Sequence, residues 1–184
     1  SMEWASEGGS DGGDVLRVGR NKDWGVTFDA GCIEATVEAI RREGTGTTGS
    51  RIANGTYASH RALEQDIASF LGRRSAMVFP TGYQANLGVI AGLAGPKDII
   101  LLDSDSHASI YDGCRLSGAT LIRFRHNAPA DLDKRLERLK DDTSSKLIIV
   151  EGIYSILGDQ APLDEFVDVK RCHGVELLVD EAHS

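Results

Sequence analysis

Cysteine is scarce in this chain. Cys32, Cys114 and Cys172 are odd in number, widely spaced and without a CxxC pair, which excludes a disulfide framework and a zinc knuckle and suits a reducing compartment. Positive charge is in deficit as well, 20 Lys and Arg against 28 Asp and Glu for a net charge of −8. No general basic field is therefore available to attract a nucleic-acid backbone or an anionic membrane surface. No apolar run approaches the ~20 residues of a bilayer span, and no basic segment leads into an apolar one at the N-terminus. A cytoplasmic protein with no transmembrane segment and no nucleic-acid partner is expected.

What is present is globular in character: 184 residues, 41% hydrophobic and 26% charged, enough for one well-buried domain and thin for two. The Gly-, Ser- and Asp-rich stretch 7–13 cannot bury a core, and the first dozen residues are expected to be loose. Ile33, Val37 and Ile40 fall at helical spacing and stop at Gly44. Leu63, Ile67, Phe70 and Leu71 mark a second helix, and the Gly-rich stretch 44–50 joins the two.

Beyond Arg74 a rhythm begins. Apolar runs at 76–79, 99–102, 121–124, 147–150 and 175–179 read as strands, and the stretches 83–93, 107–116, 130–139 and 163–172 between them read as helices. Strands nearly continuous in Val, Ile and Leu belong to a parallel sheet covered on both faces. The expected fold is α/β, a partial, mostly parallel sheet with helices on both faces, preceded by an N-terminal helical segment. Residues 1–31 are read as a flexible leading segment, 32–74 as the helical segment with its Gly-rich loop, and 75–184 as part of the α/β domain.

Ligands of open α/β sheets sit beyond the carboxyl ends of the strands. That rule selects Thr81-Gly82-Tyr83, Asp103 to His107, Glu151 to Ser155, and Asp180 to Ser184. At Thr81-Gly82-Tyr83 a helix N-terminus favours an anion such as a phosphate, while a simple turn with Thr81 as cap explains the same residues equally well. Asp180 follows an apolar strand, where a carboxylate needs a partner: a metal, a protonated ring nitrogen or structural N–H groups. His183 either donates to the same ligand or caps the next turn. His107 stacks on a flat ligand, acts as an acid or base, or bonds its own loop. His60, His126 and His173 have no companions at ligand spacing and are read as surface or capping residues, and no metal site follows.

The string Asp180-Glu181-Ala182-His183 also occurs in helicase-type nucleotide hydrolysis, which requires a phosphate loop carrying Lys. The G-x-x-x-x-G at Gly44 to Gly49 continues as Ser50-Arg51 and joins two helices, and no G-x-x-x-x-G of this sequence is followed by Lys, which removes that reading.

Taken in order, six strings carry a more specific signal: Gly44-Thr45-Gly46-Thr47-Thr48-Gly49-Ser50-Arg51; Asn54-Gly55-Thr56-Tyr57 with His60; Phe79-Pro80-Thr81-Gly82-Tyr83-Gln84-Ala85-Asn86; Asp105-Ser106-His107-Ala108-Ser109; Glu151-Gly152-Ile153-Tyr154-Ser155 with Gly158-Asp159 and Ala161-Pro162-Leu163; and Asp180-Glu181-Ala182-His183-Ser184. From about Cys32 to the last residue the chain resembles the α-oxoamine synthases, pyridoxal-phosphate enzymes of the aspartate-aminotransferase fold. Ile110-Tyr111-Asp112-Gly113-Cys114 and Arg123-Phe124-Arg125-His126-Asn127 are most similar to the serine palmitoyltransferase group of bacteria.

The resemblance implies pyridoxal 5'-phosphate as cofactor, with Thr81, Gly82 and Tyr83 at its phosphate or edge and His107 stacked on its ring. Asp180 would pair with the ring nitrogen, His183 would bond the phenolic oxygen, and Ser155 would lie beside it. The implied reaction is decarboxylative condensation of an amino acid, L-serine first, with a fatty acyl-CoA, as in sphingolipid biosynthesis, by a homodimer with shared active sites. Other α-oxoamine synthases, using glycine or alanine, and a non-catalytic partner subunit are the alternatives. Two features depart from the family. None of Lys97, Lys134, Lys140, Lys146 and Lys170 matches the lysine that forms the Schiff base, and the Asn-Tyr-Leu-Gly motif is replaced around residues 21–25. The 184-residue chain alone is therefore expected to be an inactive fragment of the large domain.

Overall fold

The computed structural model describes residues 2–7 and 15–20 by their backbone and residues 28–183 in full. Residues 21–25, most of the stretch 7–13, and Ser184 lie outside the described residues. Two strands come first, β1 (Met2–Glu7) and β2 (Val15–Arg20), then two helices, α1 (Ala30–Glu43) and α2 (Ala58–Phe70). The alternating part follows: α3 (Gly82–Leu93), β3 (Ile99–Asp103), α4 (Ala108–Ser117), β4 (Thr120–Phe124), α5 (Pro129–Arg138), β5 (Lys146–Glu151), α6 (Leu163–His173) and β6 (Glu176–Glu181). The sheet order is β1-β2-β6-β5-β3-β4, parallel throughout except for the antiparallel β1–β2 pair.

The two-residue period of the strands sorts their side chains between two cores. Ile99, Leu101, Ile148, Val150, Leu177 and Val179 face α5 and α6 through Leu132, Leu136 and Phe166. Ile100, Leu102, Leu147, Ile149 and Leu178 face α3 and α4 through Ala85, Val89, Ile90 and Ile110. Both faces are covered, as the continuous apolar runs require, and every residue of β3 is buried. β4 lies at the sheet's edge and is correspondingly more exposed.

Two expectations are corrected. The first residues are not uniformly loose, because Met2–Glu7 and Val15–Arg20 are strands. β2 pairs with the flank of β6, whose backbone groups would otherwise form an open edge. The run 76–79 is not a strand of this sheet. Val78 N–H donates to the Glu64 carboxylate at 3.0 Å and its carbonyl accepts from Arg51 Nη1 at 3.2 Å. Side chains thus take the groups a neighbouring strand would use. Arg51 also meets Glu64 at 2.8 Å, so one guanidinium fastens the Gly-rich connection to α2 and to the chain leading into α3.

α3 and α4 approach closely because α4 carries Gly113. A Cβ there would lie 2.9 Å from Ile90 Cδ1 and 3.0 Å from the Asn86 carbonyl oxygen. A mid-helix Gly→Ala change ordinarily stabilises. Here Gly113→Ala is expected to destabilise by about 1–3 kcal/mol through overpacking. Urea unfolding checks this, and an unchanged or higher midpoint would contradict it.

Candidate active site

The carboxyl ends of β3, β5 and β6 and the N-termini of α3 and α4 meet around one cleft. Gly82, Tyr83 and Asn86 of α3 line it on one side, and His107 and Ser109 at the start of α4 on another. Glu151, Asp180, Ala182 and His183 from the strand ends complete it. Five residues singled out in the sequence, Gly82, Tyr83, His107, Asp180 and His183, are thus brought together. Thr81 stands just outside as the cap of α3, its Oγ1 accepting from Gln84 N–H at 3.2 Å. Ser155 is exposed in the turn after β5 and does not line the cleft.

Local sequence explains each placement. Gly82 opens α3 directly after its Thr81 cap, leaving first-turn amides without partners in their own helix. His107 caps α4, with its Nδ1 accepting from Ser109 N–H. The Tyr83 hydroxyl donates to Asp112 Oδ2, which ties α3 to α4 beside the cleft; the carboxylate pushes the Tyr83 hydroxyl pKa up. Asp180 is 4% exposed. Its Oδ2 accepts from Asn86 Nδ2 at 2.8 Å and its Oδ1 from Ala182 N–H at 2.9 Å.

Three residues without an individual role in the sequence reading belong to this site, Glu151 among them although the strand-end rule selects its segment. Asn86 Nδ2 also donates to Ser109 Oγ at 2.9 Å, and Ser109 Oγ lies 2.7 Å from His107 Nδ1. Glu151 stands opposite Asp180 in the register of the parallel strands. It accepts from His107 N–H at 2.5 Å. Burial pushes its carboxyl up to about 7, the Asp180 and Asp103 carboxylates add to this, and the amides of His107 and Ser155 oppose it. The usable signals were the helix phase joining Gly82 to Asn86, the hydroxyl two residues after His107, and the equivalent strand-end positions of Glu151 and Asp180.

His126 is neither a surface nor a simple capping residue. Its Nδ1 lies 2.9 Å from Asp103 Oδ1 and its Nε2 lies 2.8 Å from Asp159 Oδ2. The Tyr154 ring is edge-on at 4.4 Å. Ionised carboxylates only accept hydrogen bonds, so this setting favours a proton on each ring nitrogen. Burial works against this charge, but the bonds to Asp103 and Asp159 outweigh it and raise the His126 pKa. Asn127 follows at φ 47°, its N–H donating to Asp103 and its side-chain amide to Asp159. His60 and His173 do have the expected capping or surface character. His60 Nδ1 accepts from Tyr57 N–H at the start of α2, and His173 meets Asp133 at the end of α6.

Residues 21–184 match the aminotransferase class I and II family. The chain belongs to this family. The serine palmitoyltransferase of Caulobacter vibrioides is 59% identical over 179 residues, which cover 97% of this chain and 44% of that one. A solved serine palmitoyltransferase from S. paucimobilis with bound PLP–myriocin aldimine matches with a TM-score of 0.84 at 51% identity. That match covers 94% of this chain and 43% of the other. The 8-amino-7-oxononanoate synthase of Geobacter metallireducens is 40% identical over 173 residues, 94% of this chain and 44% of that one. The chain spans less than half the length of these curated relatives. The doubly covered parallel sheet expected from the sequence is thus that of the aminotransferase class I and II family. Among the described residues, no helix of this family member is long and apolar enough to cross a membrane.

Proposed function

We propose that the protein containing this chain binds pyridoxal 5'-phosphate in the cleft and condenses an amino acid, L-serine, with a fatty acyl-CoA, releasing carbon dioxide. The carrying observation is Asp180, a buried carboxylate at the end of β6 that lines the same cleft as the His107 ring. The hydrogen bonds it accepts from Asn86 and Ala182 come from uncharged groups, which suits a carboxylate whose charge is met by a cationic ligand. The first-turn amides of α3 at Gly82 and Tyr83, with the helix dipole behind them, suit a phosphate.

In this reading Asp180 keeps the ring nitrogen protonated and His107 covers one ring face. His183 holds the phenolic oxygen, and Gly82 and Tyr83, with Thr81 as the cap of their helix, hold the phosphate or its edge; Ser155, outside the cleft, is left without a contact to the cofactor. The cofactor, when bound, supplies an electron sink for the bonds of the amino acid's α-carbon. Asp180 sustains that sink, because a deprotonated ring nitrogen withdraws far less. None of Lys97, Lys134, Lys140, Lys146 and Lys170 lines the cleft, so the Schiff-base lysine is assigned to none of them. The serine preference rests on the identity to serine palmitoyltransferases. The 8-amino-7-oxononanoate synthase similarity favours a second reading, an α-oxoamine synthase with another amino acid and acyl-CoA. The presence of His107, Asp180 and His183 together weighs against a non-catalytic partner subunit.

A homodimer in the cytoplasm completes the proposal. α1 buries none of its residues, and Ile33, Ile40, Ile52 and Phe70 stand exposed on the helical segment, surface that a second subunit would cover. The segment 32–74 is read as this dimerisation part, 75–184 as part of the cofactor domain, and 1–31 as the leading segment. The test is condensation by the full-length protein, followed as carbon dioxide released from L-serine, glycine or alanine with palmitoyl-CoA. Turnover with serine at least about tenfold above the other two is expected, a transition-state preference of about 1.4 kcal/mol. Turnover confined to glycine or alanine would establish the second reading, and no turnover with any of them would overturn the first.

A further inference from the structure

Four polar groups in the cleft form one directional chain, and its direction can be worked out from donor and acceptor chemistry. Asp180 accepts Ala182 N–H through Oδ1, as a carboxylate does, so the Asn86 atom facing Oδ2 must be the amide nitrogen. The second hydrogen of that nitrogen goes to Ser109 Oγ at 2.9 Å. Ser109 Oγ then uses its own hydrogen toward the remaining neighbour, His107 Nδ1, at 2.7 Å. Ser109 N–H reaches the same Nδ1 at 3.2 Å. Two donors converge on Nδ1, which must present its lone pair.

We infer that Asn86 and Ser109 are positioning residues that hold the His107 ring in the tautomer carrying its proton on Nε2 and join it to Asp180 in one hydrogen-bonded unit. Asn86 and Ser109 are 3% and 1% exposed, so water does not compete for these bonds. Asn86 leaves its own Oδ1 buried without a partner, an unfavourable arrangement for a group serving packing alone. The His107 backbone is fixed independently by Glu151, and the close approach at Gly113 brings α3 and α4 into the register that joins Asn86 to Ser109. His126 shows the opposite condition in the same fold. Both its nitrogens face carboxylates, which favour a proton on each.

The purpose of the chain rests on the proposed function: the ring expected to cover the cofactor would keep one orientation and one donor, Nε2–H, while Asp180 holds the ring nitrogen. The tautomer itself is testable without substrate. In the full-length protein with ¹⁵N-labelled histidine, long-range ¹H–¹⁵N spectra distinguish Nδ1–H, Nε2–H and doubly protonated rings, with His107→Gln giving the assignment and His126 the doubly protonated reference. A single Nε2–H pattern for His107 is expected; Ser109→Ala keeps the residue-109 N–H near Nδ1 but removes the stronger hydroxyl donor, and is expected to admit a measurable share of the Nδ1–H tautomer. An Nδ1–H pattern in the unsubstituted protein, or an unchanged pattern in Ser109→Ala, would overturn the inference. Loss of packing alone shifts no proton between ring nitrogens. A protein inactive toward every amino acid yet showing this pattern would fail the proposed reaction and still support the positioning role.

Discussion

Asp180→Asn in the full-length protein is expected to lower kcat for condensation by about 10²–10⁴-fold, the range seen when one preorganised charged or hydrogen-bonding group is removed from an active site. The substitution keeps the shape of the side chain and an oxygen able to accept from Asn86, at the loss of the single bond from Ala182 N–H, so the fold should survive. What also disappears is the charge. Asp180 is 4% exposed and stands across the strand pair from Glu151, and its charge helps to push the Glu151 carboxyl up. The variant should be about as stable to urea as the parent in the absence of cofactor, since the removal of a buried charge offsets the lost bond from Ala182 N–H. Loss of turnover together with nearly unchanged stability is the expected pair of results. Equal losses of both would mean that Asp180 is a structural residue, and retained turnover would remove the ring-nitrogen assignment.

Such a variant can be designed because Asp180 was visible in the sequence, at the end of an uninterrupted apolar run. The same logic exposed β3, β5 and β6, whose burial on both faces leaves little polar interruption. It misread 76–79, because an apolar run records burial and carries no information about who satisfies the backbone; there Glu64 and Arg51 do so. β2 escaped notice for the converse reason: its strand character comes from pairing with β6, far along the chain. The site was legible to the same depth. His107 and Asp180 sit at strand ends, where a general rule applies. Asn86 and Asp180 are 94 residues apart, and their contact exists only once α3 is laid across the end of β6. His126 lacked neighbours in sequence because its partners, Asp103 and Asp159, are 23 and 33 residues away.

That histidine underlies the second large effect. His126→Ala is expected to cost about 2–4 kcal/mol, mostly because Asp103, fully buried, stays in place with a charge-assisted donor removed. The loss should carry a pH signature. His126 is raised above its ordinary value of 6.5, so its contribution is complete below about that pH and fades as pH rises through the folded value. Glu151 acts in the same sense. The folded protein holds a proton up to about pH 7 that the unfolded chain releases near 4.5, so stability is again lost as pH rises across that interval. The carboxyls held low by their partners, Asp159 and Glu64, work in the opposite direction, but only in acid below about pH 4. Between pH 5.5 and 8 the slopes of His126 and Glu151 therefore add, and the urea midpoint should fall as pH rises. Glu151→Gln, which imitates the protonated form, and His126→Ala should each flatten part of that slope. A midpoint constant from pH 5.5 to 8, or an unaltered slope in both variants, would refute the account. The consequence extends to the cleft: Asp103 also accepts from Asp105 N–H at 3.0 Å and so shapes the turn that leads from β3 to His107. Removing His126 should thus lower turnover even at a urea concentration and pH where the protein remains folded, because the ring it helps to place is then held by Glu151 and Ser109 alone.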